Sequence, residues 1–304
     1  MELLDCTTGT PIVPPGSKQR ALLAVLVLQA GRLVTIDQLT EELWGPRPPA
    51  NPANALQAHI ARLRRLLPHS GQRPRPGQGQ GPRHEWIHTQ PTGYVFHLDG
   101  ATTDVQRFAH LSSQGRAALT GNPAHAAQLV HHALSLWRGP ALADCRSGPL
   151  TTSEADRLEE NRLTALEALY EAHLHCARHH DITGELEKLT ADHPLHERFY
   201  DQLMTALYHS GRQAEALGVY ERARHHLTTT LGVEPGPALR ARVQAILHHA
   251  PRPTAPPPAD THDLHHEISH LKRRIDELMR NQQHLQHRLN TLSTLSAHRP
   301  VPTP

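Results

Sequence analysis

Cysteine is nearly missing from this sequence, with three residues in 304 and no CxxC pair. Such scattered thiols build neither a disulfide framework nor a zinc ribbon, and they fit a reducing compartment. Long apolar runs are missing as well. Nothing approaches the ~20 residues a membrane span needs, and no signal peptide is visible, so a soluble cytoplasmic protein is expected. Nucleophile motifs are also absent. There is no Gly-x-Ser-x-Gly, and the dispersed Ser, His and Asp make no triad. Gly16-Ser17-Lys18 resembles half of a phosphate loop but lacks the second glycine at the required spacing, and reads as a helix start. No enzyme is expected, and no cofactor. Lysine is scarce too, three against 28 arginines. That ratio, with abundant Ala, Pro and His, looks like GC-rich coding bias, so arginine excess alone proves little.

The most informative absence is local. From Leu43 to His84 there is no carboxylate, while seven arginines occur. Within this stretch, Leu56, Ile60, Leu63 and Leu67 recur at helical spacing and form one narrow apolar stripe. At ~100° per residue, Asn54, Ala58, Ala61 and Arg65 fall opposite the stripe, with Gln57, Arg62 and Arg64 flanking them. Small residues allow close approach to a nucleic-acid groove, and Asn, Gln and Arg can hydrogen-bond base edges in pairs. The ordinary alternative is a solvated face, but solvated faces usually mix signs and this one does not.

Three domains and a linker follow from the pattern. Residues 1–103 carry net +3, residues 104–250 net −3, and the remainder net +2. A basic front and a mildly acidic middle suit a nucleic-acid reader joined to a protein-contact module. Residues 1–16 read as short extended pieces. Lys18 to Ala30 is an apolar helix. Thr35 with Gln38 forms a capping box for a helix ending at Leu43 and Trp44-Gly45-Pro46. A proline-rich loop over 45–53 leads to the Asn54 helix. Pro68 to Arg83 is Gly/Gln/Pro/Arg low complexity, expected to be flexible. Glu85–Thr89 and Tyr94–Leu98 alternate as strands around Gln90-Pro91-Thr92-Gly93. Three helices and a hairpin make a winged helix-turn-helix.

Residues 104 to about 250 read as wholly helical, in stretches Ala124–Leu136, Glu154–His179, Ile182–Asp192, Glu197–His209, Arg212–Leu231 and Pro237–His249. Leu207-Tyr208 with Gly211, Ala216, Tyr220, Ala223 and Pro235 resembles a tetratricopeptide-type hairpin, and Gly121 to Trp137 echoes it. A repeat of that type and an irregular bundle both remain open. Trp44 and Trp137, beside glycines at helix ends, read as core plugs rather than base-stacking platforms. His175, Cys176, His179 and His180 include i,i+4 pairs that could hold zinc from one helix face. Histidine doublets recur at His131, His225, His248 and His265, however, so no metal is expected. The overall class is mainly α, with a small β-hairpin wing.

A proline linker spans 251–263. Beyond it Leu264, Leu271, Leu278, Leu285 and Leu292 repeat every seven residues, with Ile268, Ile275, Gln282 and Leu289 at the other core position. This heptad pattern over 264–295 predicts a coiled coil, and Ile at a with Leu at d favours a parallel homodimer.

Long motifs then recur in a familiar order. They are Gly16-Ser17-Lys18-Gln19-Arg20-Ala21-Leu22, Leu43-Trp44-Gly45, Ala55-Leu56-Gln57 with Arg62-Leu63-Arg64-Arg65, Thr92-Gly93-Tyr94, Ala133 to Ala143, His193-Pro194-Leu195-His196-Glu197, Ser210 to Leu217 and Leu231-Gly232-Val233-Glu234-Pro235. Over roughly residues 3–249 the chain resembles the Streptomyces antibiotic regulatory protein family of pathway-specific activators. That resemblance implies an OmpR-type winged helix followed by a helical bacterial transcriptional activation domain. It implies binding to double-stranded DNA at direct heptameric repeats near secondary-metabolite promoters, and recruitment of RNA polymerase, with the Arg47-to-Asn51 loop as a polymerase contact. The chain departs from the family pattern in a trimmed amino-terminal sheet, in Gln90 where an arginine is common, and in the zipper.

The expected interface follows. Arg62 and Arg65 contact bases or backbone, with Asn54 and Gln57 next and Ala58 giving room. Arg64 meets phosphate, and Lys18, Arg20, Gln90 and Thr92 position the domain on the backbone. The rival is a helical scaffold binding only proteins, its front domain vestigial.

Overall fold

From Ala21 onward helix α1 (Ser17–Leu28) is apolar on every side, and such a stretch has to be surrounded. In the computed structural model, which describes residues 2–4, 10–67, 86–98 and 100–248, Ala21 through Leu26 are all buried. Before it, β1 (Leu3–Leu4) and β2 (Pro11–Ile12) pair antiparallel, so among the described residues the amino-terminal sheet has two rungs. After it come β3 (Leu33–Thr35), α2 (Ile36–Trp44), α3 (Pro52–Leu66), β4 (Ile87–Gln90) and β5 (Gly93–Phe96). The Thr35–Gln38 capping box is present and opens α2. Leu22 and Leu26 of α1, Leu39 of α2, Leu56, Ile60 and Leu63 of α3, and Ile87, Tyr94 and Phe96 of the hairpin share one core. Each such side chain stabilises by roughly 1.5–3 kcal/mol relative to exposure.

Strand β3 is an addition to the sequence reading. It pairs antiparallel with β5, giving the order β3-β5-β4, with Val34 opposite Tyr94 and Thr89 opposite Tyr94 on the other side. The central strand is buried along its whole length. Gly93 is required there, because a Cβ would stand 2.0 Å from the Val34 carbonyl oxygen.

The rear domain is helical, as expected: α4 (Asp104–Ala118), α5 (Pro123–Leu134), α6 (Pro149–His175), α7 (His179–Asp192), α8 (Glu197–His209), α9 (Gln213–Leu231) and α10 (Pro237–Leu247). Thr103 and Gln106 box the start of α4, and the Asn122 carboxamide accepts from the His125 N–H at 3.0 Å to start α5. Consecutive helices α4 and α5, α5 and α6, α7 and α8, and α8 and α9 pack on one another, a tetratricopeptide-like arrangement. Trp137 packs edge-on to Phe108 at 5.4 Å, with the Arg162 guanidinium 4.9 Å over its ring. Helix α8 is the centre, with Phe199 through Leu207 all buried. Its Asp201 is paired with Arg242 at 2.6 Å and Arg198 at 2.9 Å, which satisfies the buried charge.

The helix read as continuous from Glu154 to His179 begins earlier and ends at His175. The chain turns through Cys176 to Arg178, with Ala177 at φ 56°, so His175 and His179 lie on different helices. No group of three or more His, Cys, Asp or Glu among the described residues is arranged to hold a metal ion. None of the described helices is long and apolar enough to cross a membrane. The flexible segment expected at 68–83, the proline linker and the Leu264–Leu292 heptads lie outside the described residues.

Candidate nucleic-acid interface

Helix α3 begins two residues before Asn54. The Asn51 carboxamide accepts from the Asn54 N–H at 3.0 Å, and Pro52 occupies the first turn, where a missing N–H costs nothing. Asn51-Pro52 was the signal that placed the cap, and the sequence reading passed over it as loop. The phase of the helix is as read. Leu56, Ile60, Leu63 and Leu67 are buried, and Asn54, Gln57, Ala58, Ala61, Arg62 and Arg65 are exposed. Arg62 hydrogen-bonds no described residue. Arg65 folds its Nε back onto the Ala61 carbonyl at 3.2 Å. The exposed face therefore offers amides, two small side chains and two guanidinium groups, with no acid in the first turn of the helix.

Arg64 is placed differently. Its Nε and Nη2 donate to the Ile87 carbonyl at 3.3 and 2.7 Å, and Nη2 also donates to the Thr89 hydroxyl at 2.9 Å. It fastens α3 to the first wing strand. Gln90 and Thr92 are exposed at the wing tip, on either side of Pro91. The Thr92 carbonyl accepts from the Ile36 N–H at 3.0 Å, which anchors the turn to the start of α2. The wing and α3 are thus held in one frame by backbone pairing and by Arg64.

Lys18 and Arg20 belong to α1 and are held by other elements. The Lys18 ammonium donates to the Leu43 carbonyl at 2.7 Å and sits 5.1 Å over the Trp44 ring, closing the end of α2. Arg20 donates to the Pro14 carbonyl at 3.3 Å and lies 3.5 Å from the Asp144 carboxylate. Both cations have partners inside the protein. Trp44, half-buried against the front core, also faces His59 of α3 at 6.1 Å. Burial lowers the His59 pKa below its usual 6.5, and the nearby charges of Arg62 and Lys18 lower it further. His59 is therefore held neutral beside the outward arginines. Sequence reasoning missed it, because a histidine at the edge of an apolar stripe carries no distinguishing pattern.

A family described as "Bacterial transcriptional activator domain" matches residues 103–247, and one described as "Transcriptional regulatory protein, C terminal" matches residues 9–78. Transcriptional regulator RedD of Streptomyces coelicolor is 42% identical over 234 residues, which is 77% of this chain and 65% of RedD. Regulatory protein DnrI of Streptomyces peucetius is 38% identical over 244 residues, 80% of this chain and 88% of DnrI. The solved structure of Mycobacterium tuberculosis EmbR in complex with low affinity phosphopeptide aligns with a TM-score of 0.72 at 37% identity, covering 81% of this chain and 63% of that one. The chain thus spans most of DnrI but less than two thirds of RedD and of the EmbR structure. With its OmpR-type winged helix ahead of a bacterial transcriptional activator domain, the chain belongs to the Streptomyces antibiotic regulatory protein family of transcriptional regulators.

Proposed function

We propose that this chain is a sequence-specific DNA-binding activator of a secondary-metabolite gene cluster, acting at direct repeats near promoters and recruiting RNA polymerase. The observation that carries the reading is the exposed face of α3, which is amide-bearing, small and cationic, and is framed by the wing. In the proposed complex α3 enters the major groove. Arg62 and Arg65 contact bases or phosphates, Asn54 and Gln57 read base edges, and Ala58 lets the helix approach. Gln90 and Thr92 meet the flanking backbone. Arg64, Lys18 and Arg20 act indirectly, by holding the elements that carry those contacts. The loop from Arg47 to Asn51 is the proposed polymerase contact.

The heptads from Leu264 to Leu292 are proposed to pair two chains in parallel, with Gln282 fixing register and Glu267 facing Lys272 of the second copy. A two-fold zipper and direct repeats conflict in symmetry. Ten residues from Pro251 to Asp260 reach ~30 Å in a polyproline conformation, enough to uncouple the reading heads from the zipper axis. Tethering raises the effective concentration of the second head, so paired repeats gain far more than a single one.

Retardation of upstream DNA from neighbouring genes by the full chain, at increasing salt, tests the reading. Binding that weakens steeply with salt is expected, because phosphate contacts release counterions. Absence of salt-sensitive binding to any such fragment returns the scaffold reading. Sedimentation of the full chain against one ending at His248 tests the zipper, and a monomer at micromolar concentration overturns it.

A further inference from the structure

Glu42, in the last turn of α2, is a fully buried carboxylate. A buried charge needs donors around it. Here they come from the rear domain. The Leu150 N–H donates to Oε2 at 2.7 Å, and the N–H of Thr151 donates to Oε1 at 3.1 Å, with the Thr151 hydroxyl donating to the same oxygen. These groups form the first turn of α6, where amides lack helical partners and the helix dipole is positive. The Ser147 hydroxyl adds a bond to the Glu42 carbonyl at 3.1 Å. A front-domain carboxylate thus caps a 27-residue helix of the rear domain.

Gly148 gives an independent reading of the same junction. Its φ of −154° and ψ of −169° are extended values open to any residue. Yet a Cβ there would stand 2.6 Å from both the Glu42 Cα and its carbonyl oxygen. Glycine answers here to the approach of the other domain, not to a turn. Around it, Leu150 packs on the front core, Arg20 pairs with Asp144, and Arg138 pairs with Glu2. The next two residues of α2 have other partners. The Leu43 carbonyl is held by Lys18, and Trp44 meets His59 on α3. The same helical turn therefore contacts both the proposed recognition helix and α6.

We propose that Glu42 is a positioning residue that fixes the DNA-reading face against the activator domain, so that a bound promoter presents that domain in one orientation. The proposal rests on the DNA-binding reading above. It is tested on the full chain with Glu42→Gln, Glu42→Asp and Gly148→Ala, the last inserting a methyl group between the domains while leaving both cores intact. Three readouts are compared: affinity for promoter DNA, transcription from that promoter by purified polymerase holoenzyme, and the calorimetric unfolding trace. Affinity is expected to stay within about 2-fold, because the side-chain bonds of Glu42 all go to α6 and none to α3 or the wing. Activated transcription is expected to fall roughly 10-fold or more, the range of a coupling free energy. The unfolding trace should split or broaden in Glu42→Gln and Gly148→Ala, and Glu42→Asp, which keeps the charge, should recover part of both effects. Wild-type transcription and a wild-type trace in both Glu42→Gln and Gly148→Ala overturn the proposal. So does a loss of affinity and transcription in equal proportion, which would mark general destabilisation. If the unmodified chain binds no DNA, it is the functional reading that fails, and the calorimetric traces still decide whether Glu42 couples the domains.

Discussion

Arg62 and Arg64 lie two residues apart on α3, about 200° around the helix axis. Arg62 is exposed and hydrogen-bonds no described residue, whereas Arg64 spends its donors on Ile87 and Thr89 of the wing. Lys18 and Arg20 belong with Arg64, since each has an internal acceptor or carboxylate. The domain thus divides its cations into a set that holds the frame and a set that is offered outward. A count of positive charge does not separate the two sets. The acceptors that tertiary structure brings to each side chain do.

The largest effect should come from attacking the inward face that both sets depend on. Leu63 is fully buried, and Leu63→Asp puts a charge into the front core. A loss of about 4 kcal/mol or more is expected, enough to abolish the front domain's folded circular dichroism signal. Wild-type melting would mean that the helix phase is wrong. Next is Gly93→Ala, whose methyl group would collide with the Val34 carbonyl and open the sheet that Arg64 braces. About 2–3 kcal/mol should be lost in denaturant titration. Arg64→Ala separates the two sets directly. It should cost about 1–2 kcal/mol of stability through lost charge-assisted hydrogen bonds, and weaken DNA binding without changing its salt slope. A slope reduced by about one unit would return Arg64 to the phosphate-contacting set.

The smallest effect concerns pH. The His59 pKa is lowered in the folded chain, so the unfolded chain takes up that proton first as pH falls. The stability that His59 contributes is present above 6.5 and declines as pH drops below that value. His173, lowered chiefly by its own burial, acts in the same direction. Melting temperature should fall on acidification, and His59→Gln should remove part of that dependence. An unchanged pH profile would show that His59 is not held neutral.

The exposed face of α3 was legible because the helical period is a strong signal. Leu56, Ile60, Leu63 and Leu67 fix the phase of α3, and the outward residues follow by geometry. The box at Thr35 and Gln38 is equally local and appears as read. Features that depend on distant partners were not legible. Arg64 flanks the outward face on a helical wheel, but its acceptors lie 23 and 25 residues away. Lys18 looked like a phosphate contact, but its acceptor is the end of another helix. Glu42 sits on an amphipathic helix like any surface acid, and its donors come from a domain more than 100 residues further on. Strand β3 has three residues, too few for alternation to register. In the rear domain α5 to α10 were legible from period and punctuation, but the turn after His175 was not, because no proline or glycine marks it.

The division into held and offered cations is tested most directly by promoter affinity as a function of salt, for the unmodified chain and for Arg62→Ala with Arg65→Ala. Thermal stability should be unchanged, with a loss of about 1–3 kcal/mol in binding for each base contact removed, or a salt slope smaller by about one for each phosphate contact removed. Affinity and slope equal to those of the unmodified chain would contradict it.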